Sequence, residues 1–150
     1  MSAGCPFITC AIKKKGIEFC WFCKVNNTCE KWSKHKQASK NHDSFKCYQT
    51  LETDIEFIKT NGIENFINNQ KIRERLLIEM LSDFNEGRSK SYYCIAATVL
   101  QIEELEKALS LAKKEVNHQT IVDIREKSKT LHSILDNIAN ENNYLLKLRK

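Results

Sequence analysis

Five cysteines, Cys5, Cys10, Cys20, Cys23 and Cys29, fall within 25 positions, and this cluster constrains the fold more than any other feature of the chain. Thiols this closely spaced serve as metal ligands, as disulfide partners or as small buried hydrophobes. The segment that carries them, CPFITCAIKKKGIEFCWFCKVNNTC, has too few apolar side chains to fold by packing alone. No basic, then apolar, then small-residue leader is visible, and no apolar run approaches the ~20 residues of a membrane span. The expectation is a cytoplasmic protein without a membrane role. In a reducing compartment, ligation is the first reading and disulfides the second.

The gaps between these thiols are four, nine, two and five residues. A two-residue gap lets one tight turn aim both sulfurs at a single ion about 2.3 Å from each, so Cys20 and Cys23 form the strongest pair. Cys5 and Cys10 straddle the start of a short helix whose positive end favours a thiolate. The expected ligand set is Cys5, Cys10, Cys20 and Cys23, with Cys29 as the substitute. Zinc is the expected metal, because a closed structural site supplies an apparent ~10–16 kcal/mol to such a module. An iron–sulfur cluster is the alternative, since five thiols exceed what one zinc requires, although the spacing matches no common ferredoxin pattern. CWFC resembles a thioredoxin-type redox motif only superficially, as no βαβ pattern surrounds it. His35 and His42 could complete a Cys3His site but lie on a Lys-rich segment and are expected to face solvent. Cys47 and Cys94 are expected in the core.

Gly and Pro together number only five, which leaves few turns and favours long helices. Helices are expected over 6–15, ended by a left-handed Gly16, and over 30–40. Phe45, Tyr48, Leu51, Ile55 and Ile58 recur at helical spacing from Ser44 up to Gly62. Ile63, Phe66, Ile67, Leu77, Leu81 and Phe84 share one face of a helix reaching Glu86, unless the polar residues 68–70 break it. Gly87 stops it. A buried helix starts near Ser89 and breaks near Gln101, with a strand over its first six residues as the alternative. Ile102, Leu105, Leu109, Ala112 and Val116, then Ile121, Ile124, Leu131, Leu135, Ile138 and Leu145, alternate by threes and fours, with polar Ser128 and Asn142 in the same seam. These two helices reverse near Asn117 and His118 into an antiparallel hairpin. The second, about 119–148, would overhang the first and need a partner: the N-terminal module, another protein or a second copy of the chain. The expected fold is all-α, with a Cys-rich metal-stabilised module over 1–43 and a helical bundle over 44–150 that ends in the hairpin, about 102–148.

The stretch GCPFITCAIKKKGIEFCWFCKVNNTCEKW resembles the second half of an uncharacterised cysteine-rich domain family of bacteria and archaea that is presumed to bind zinc. The resemblance rests on Cys5-Pro6, Cys10-Ala11, Lys15-Gly16, Cys20 with Cys23, and Cys29-Glu30-Lys31, and covers about the first 35 residues. CYQTLETDIEFIKTNG and GRSKSYYCIAATVL look like an extension found in some members. The chain lacks the further Cys-Gly and Cys-x2-Cys group with which members often begin. Asn27-Thr28 also stands before Cys29 where members carry Phe-Pro. The resemblance implies a metal and no reaction.

Charge is uneven: residues 1–48 carry nine Lys and three acidic residues, a net +6, and the remainder sums to −1. Such a basic pole suits solvated surface that offsets thiolate charge, and it also suits an anionic partner. A nucleic acid would meet Lys13, Lys14, Lys15, Lys31, Lys34 and Lys36 on phosphates and Trp21, Phe22 or Trp32 on bases. Arg88, Ser89 and Lys90 open a helix after a glycine stop, a corner that could hold phosphate or sulfate. No Ser/His/Asp grouping, phosphate loop or dinucleotide fingerprint is present. The expected protein is a small zinc binder without evident catalytic machinery, with a structural, regulatory or interaction role. Nucleic-acid binding and iron–sulfur redox chemistry are the alternatives.

Overall fold

The computed structural model describes residues 6–43, 48–117 and 123–149. These residues are helical, with no strand among them, and the chain divides into two units, Met1–Asn41 and His42–Lys150.

The first unit opens on α1 (Pro6–Ile8), which widens directly into a π-helical turn over Thr9–Lys14. Proline suits a first turn because its missing N–H has no helical partner there. Gly16 ends the segment at φ +63°, its amide donating to the Ile12 carbonyl at 3.2 Å, so the expected left-handed cap is present. Two single 3₁₀ turns follow, Cys20–Phe22 and Asn26–Thr28, and α2 (Glu30–Asn41) closes the unit. Among the described residues, Ala11 is the only buried apolar side chain of this unit. Phe7, Trp32 and His35 make edge and stacked ring contacts, and Phe19 stacks on Trp21 at 4.6 Å.

The second unit holds α3 (Leu51–Asn61), α4 (Ile63–Asp83), α5 (Lys90–Val99), α6 (Ile102–Asn117) and α7 (Ile124–Glu141). Gly62, at φ +84°, separates α3 from α4, and α4 runs unbroken through residues 68–70. Its inward face is Leu76, Met80 and Phe84, with Leu77 and Leu81 partly buried, whereas Ile67 is exposed. Tyr93, Ala96, Ala97, Val99 and Leu100 continue this core as a helix rather than a strand. Leu105, Leu109 and Ala112 of α6 and Leu131, Leu135 and Ile138 of α7 complete it. Tyr144, just past α7, reaches Glu104 in the first turn of α6, so the two helices run antiparallel.

The second hairpin helix is shorter than its apolar spacing implies. Asn143 adopts φ +57°, the Tyr144 amide donates to the Ala139 carbonyl at 2.8 Å, and the Asn143 amide donates to Asn140 at 3.4 Å. These are the two bonds of a Schellman ending, with asparagine in the left-handed position and Tyr144 packed on the core. At 16 and 18 residues, α6 and α7 nearly match, so the expected overhang is not found among the described residues. Ser44, Phe45, Cys47, His118 and Ile121 lie outside those residues.

Candidate metal centre

The thiols are brought together by turns rather than by packing. Cys10 sits in the π-helical turn, Cys20 begins the first 3₁₀ turn, and the Cys23 amide donates to the Cys20 carbonyl at 3.0 Å. The Asn26 amide then donates to the Cys23 carbonyl at 2.9 Å and the Cys29 amide to Asn26 at 3.2 Å, which delivers Cys29 to the start of α2. Cys10, Cys20, Cys23 and Cys29 all line one cavity of about 30 Å³, walled by Phe7, Ala11, Ile17 and Trp32. None of the four is in a disulfide. Cys5, part of the expected first-choice set, lies outside the described residues; Cys29, the substitute, joins the other three.

Lys31 also lines this cavity, and the cation that bonds a thiol there is Lys15. Its Nζ donates to Cys23 Sγ at 2.9 Å, and the charges of Cys23, Cys10 and Cys29 all favour its protonated form. The ammonium and the Val25 amide together hold the Cys23 thiol below its ordinary value. Among the described residues, no three His, Cys, Asp or Glu side chains stand close enough to grip one ion. The thiols thus share a cavity without being drawn to a point. His35 is held in the Phe7–Trp32 ring cluster, and His42 is exposed.

The Arg88–Ser89–Lys90 corner is built differently from its sequence. Ser89 is 3% exposed, and its hydroxyl donates to Glu86 Oε2 at 2.6 Å rather than capping α5. Ser128 Oγ donates to the same oxygen at 2.7 Å, and His132 Nε2 lies 2.8 Å from Ser89 Oγ. Each hydroxyl has one proton, so with both serines serving the carboxylate, His132 carries hydrogen on Nε2 and donates to Ser89. The two serines hold Glu86 well below the usual carboxylate range, at about 2, and burial lowers His132. Arg88 lines an open groove with Arg125 and Lys129, while Lys90 lines a separate one with Arg73. Ser128 stood out in the sequence as a polar residue in an apolar seam; nothing there pointed to Glu86 or His132 as its partners. Cys94, expected in the core, is half-buried at the rim of the Lys90 groove.

Among the described residues, no helix is long and apolar enough to cross a membrane. Comparison with family models, with curated proteins and with solved structures finds no match for this chain.

Proposed function

We propose that the first unit is a zinc-stabilised module with Cys10, Cys20, Cys23 and Cys29 as ligands, serving a structural or interaction role in a chain whose second unit is a helical bundle. One observation carries this reading: four thiols line a single small cavity in a unit whose only buried apolar side chain, among the described residues, is Ala11. A unit of about 40 residues normally needs disulfides, a metal or oligomerisation to fold. Its described thiols are not in disulfides, and tetrahedral thiolate ligation supplies the missing cross-link. Four thiolates on one divalent ion would leave a net charge of about −2, and Lys15, which donates to Cys23 Sγ, would offset part of it.

Reconstitution of the full chain with cobalt(II) tests the ligand set. The expected spectrum has intense thiolate charge-transfer bands, lost in a Cys20→Ser/Cys23→Ser variant and kept in Cys94→Ser. Retention of those bands in the double variant contradicts the assignment. A coloured protein from anaerobic purification that contains iron and sulfide would replace zinc with a cluster.

A second reading is favoured by Phe22, 66% exposed on the Cys20–Cys23 turn of a lysine-rich unit. An exposed ring among cations is a stacking platform for single-stranded nucleic acid. Oligonucleotide binding that weakens as salt rises and is lost in Phe22→Ala supports it; absence of binding at low salt removes it.

A further inference from the structure

The second unit carries a groove whose chemistry is independent of the thiols. Two adjoining cavities, of about 670 and 500 Å³, share Thr50, Asp54, Phe66, Gln70 and Arg73. Volumes of this order suit small organic ligands.

Arg73 is fixed before any ligand arrives. Its Nη1 donates to the carbonyls of Ala97 and Leu100 at the end of α5, which holds the guanidinium plane in place. Among the described residues no acceptor meets Nε or Nη2, so three N–H donors of the fork remain available. Asp54 accepts from Thr50 Oγ1 through Oδ2 at 2.9 Å, and Oδ1 remains available. Asp54 and Arg73 attract one another, yet they form no ion pair within 4.0 Å. Burial pushes the Asp54 carboxyl up from its ordinary value. Opposite charges, both half-buried, thus line the same cavities without an ion pair, and each has unused hydrogen-bonding capacity.

The charge count narrows the ligand. The charged residues lining the two cavities are Arg73 and Lys90 against Asp54 and Glu103, so the walls are neutral overall and dipolar. A simple anion would gain Arg73 and face two carboxylates, and a simple cation would meet the converse. A zwitterion satisfies both ends. Phe66, Ile95 and Leu148 give one cavity an apolar wall.

We infer that this groove binds a hydrophobic α-amino acid, with its carboxylate on Arg73, its ammonium on Asp54 and its side chain against Phe66 and Ile95. A planar fork held rigidly by α5 is suited to a bidentate carboxylate. The carboxylate of Asp54 supplies the opposite pole where water is partly excluded.

Isothermal titration of the full chain with L-phenylalanine and L-leucine tests the assignment, with N-acetyl-L-phenylalanine and L-phenylalanine methyl ester as controls. Both free amino acids are expected to bind, and each control, which lacks one charge, to bind at least about tenfold more weakly. Asp54→Asn keeps the acceptor for Thr50 and removes the charge; it is expected to weaken the free amino acids by a similar factor while circular dichroism and the thermal midpoint confirm folding. Because Arg73 also caps α5, the ligand controls probe its role without a substitution that could unfold the unit. No binding by either free amino acid at millimolar concentration overturns the inference. Equal affinity for the N-acetyl form, or wild-type affinity in folded Asp54→Asn, overturns it as well.

Discussion

Arg149 closes a two-pronged grip on Asp43, with Nη2 2.8 Å from Oδ1 and Nε 3.1 Å from Oδ2. The Arg149 amide also donates to Oδ2, at 2.9 Å, and the Asp43 amide donates to the Arg149 carbonyl at 2.8 Å. The Asp43 side chain is fully buried and that of Arg149 is 25% exposed. One residue near the start of the second unit is thereby tied to one near its end, and Gln49 adds a second tie by donating to the Leu145 carbonyl at 3.1 Å. Removing one partner of a buried two-pronged pair costs the other its bidentate counter-charge. Asp43→Ala is expected to lower stability by about 3 kcal/mol in urea unfolding, and Arg149→Lys by less, since it keeps the charge and loses the fork. An unchanged urea midpoint for Asp43→Ala would show that the grip does not hold the unit closed.

Stability should fall with acid in two stages. Burial lowers His132 from its ordinary 6.5, so the unfolded chain takes up this proton first; the stability is complete above about pH 6.5 and declines as pH falls toward the lower folded value. Glu86 is depressed from 4.5 to about 2, so its contribution is present above about pH 4.5 and is lost as pH falls through about 2. Glu86→Gln is expected to flatten the lower stage and deepen the upper one, because the Glu86 charge favours protonated His132 and its loss lowers the folded histidine further. Urea midpoints measured across this range check it, and an identical acid limb in the variant contradicts it.

The hairpin core should respond according to burial. Leu135 is fully buried between helices, and Leu135→Ala is expected to cost about 3 kcal/mol through lost transfer energy and a residual cavity. Ile78, 60% exposed, should tolerate Ile78→Ser within about 0.5 kcal/mol. Denaturant midpoints of both variants provide the comparison, and equal losses would misplace the core.

The end of α7 offers a smaller test. At φ +57°, Asn143 holds a conformation that costs a residue with Cβ about 1–2 kcal/mol and glycine nothing. Asn143→Gly is therefore expected to match or slightly raise the thermal midpoint, and Asn143→Val to lower it. The reverse order would exclude this helix ending.

Much of this fold was legible because helical periodicity is a local property. The bounds of α6 follow from Ile102 to Val116, and left-handed glycines stand at Gly16, Gly62 and Gly87, where the apolar pattern pauses. The end of α7 was not legible, since Leu145 continues the spacing and only the backbone of Asn143 interrupts it. At the candidate centre, Cys20 and Cys23 announced their turn, while Lys15 looked like its neighbours Lys13 and Lys14 until the cap at Gly16 set it beside Cys23. Arg73 and Asp54 carried no signal, because two ordinary charges become a site only when α3, α4 and α5 surround a common space. The Ser128 network was half visible: a hydroxyl in an apolar seam needs partners, and sequence spacing does not say which.

The central claim concerns what holds the first unit together, and the most direct test is elemental analysis by mass spectrometry of the full chain purified without added metal. The account predicts about one zinc per chain, with chelation unfolding the first unit and leaving the second helical. A protein that contains neither zinc nor iron and keeps residues 6–41 protected from proteolysis in excess chelator would contradict it.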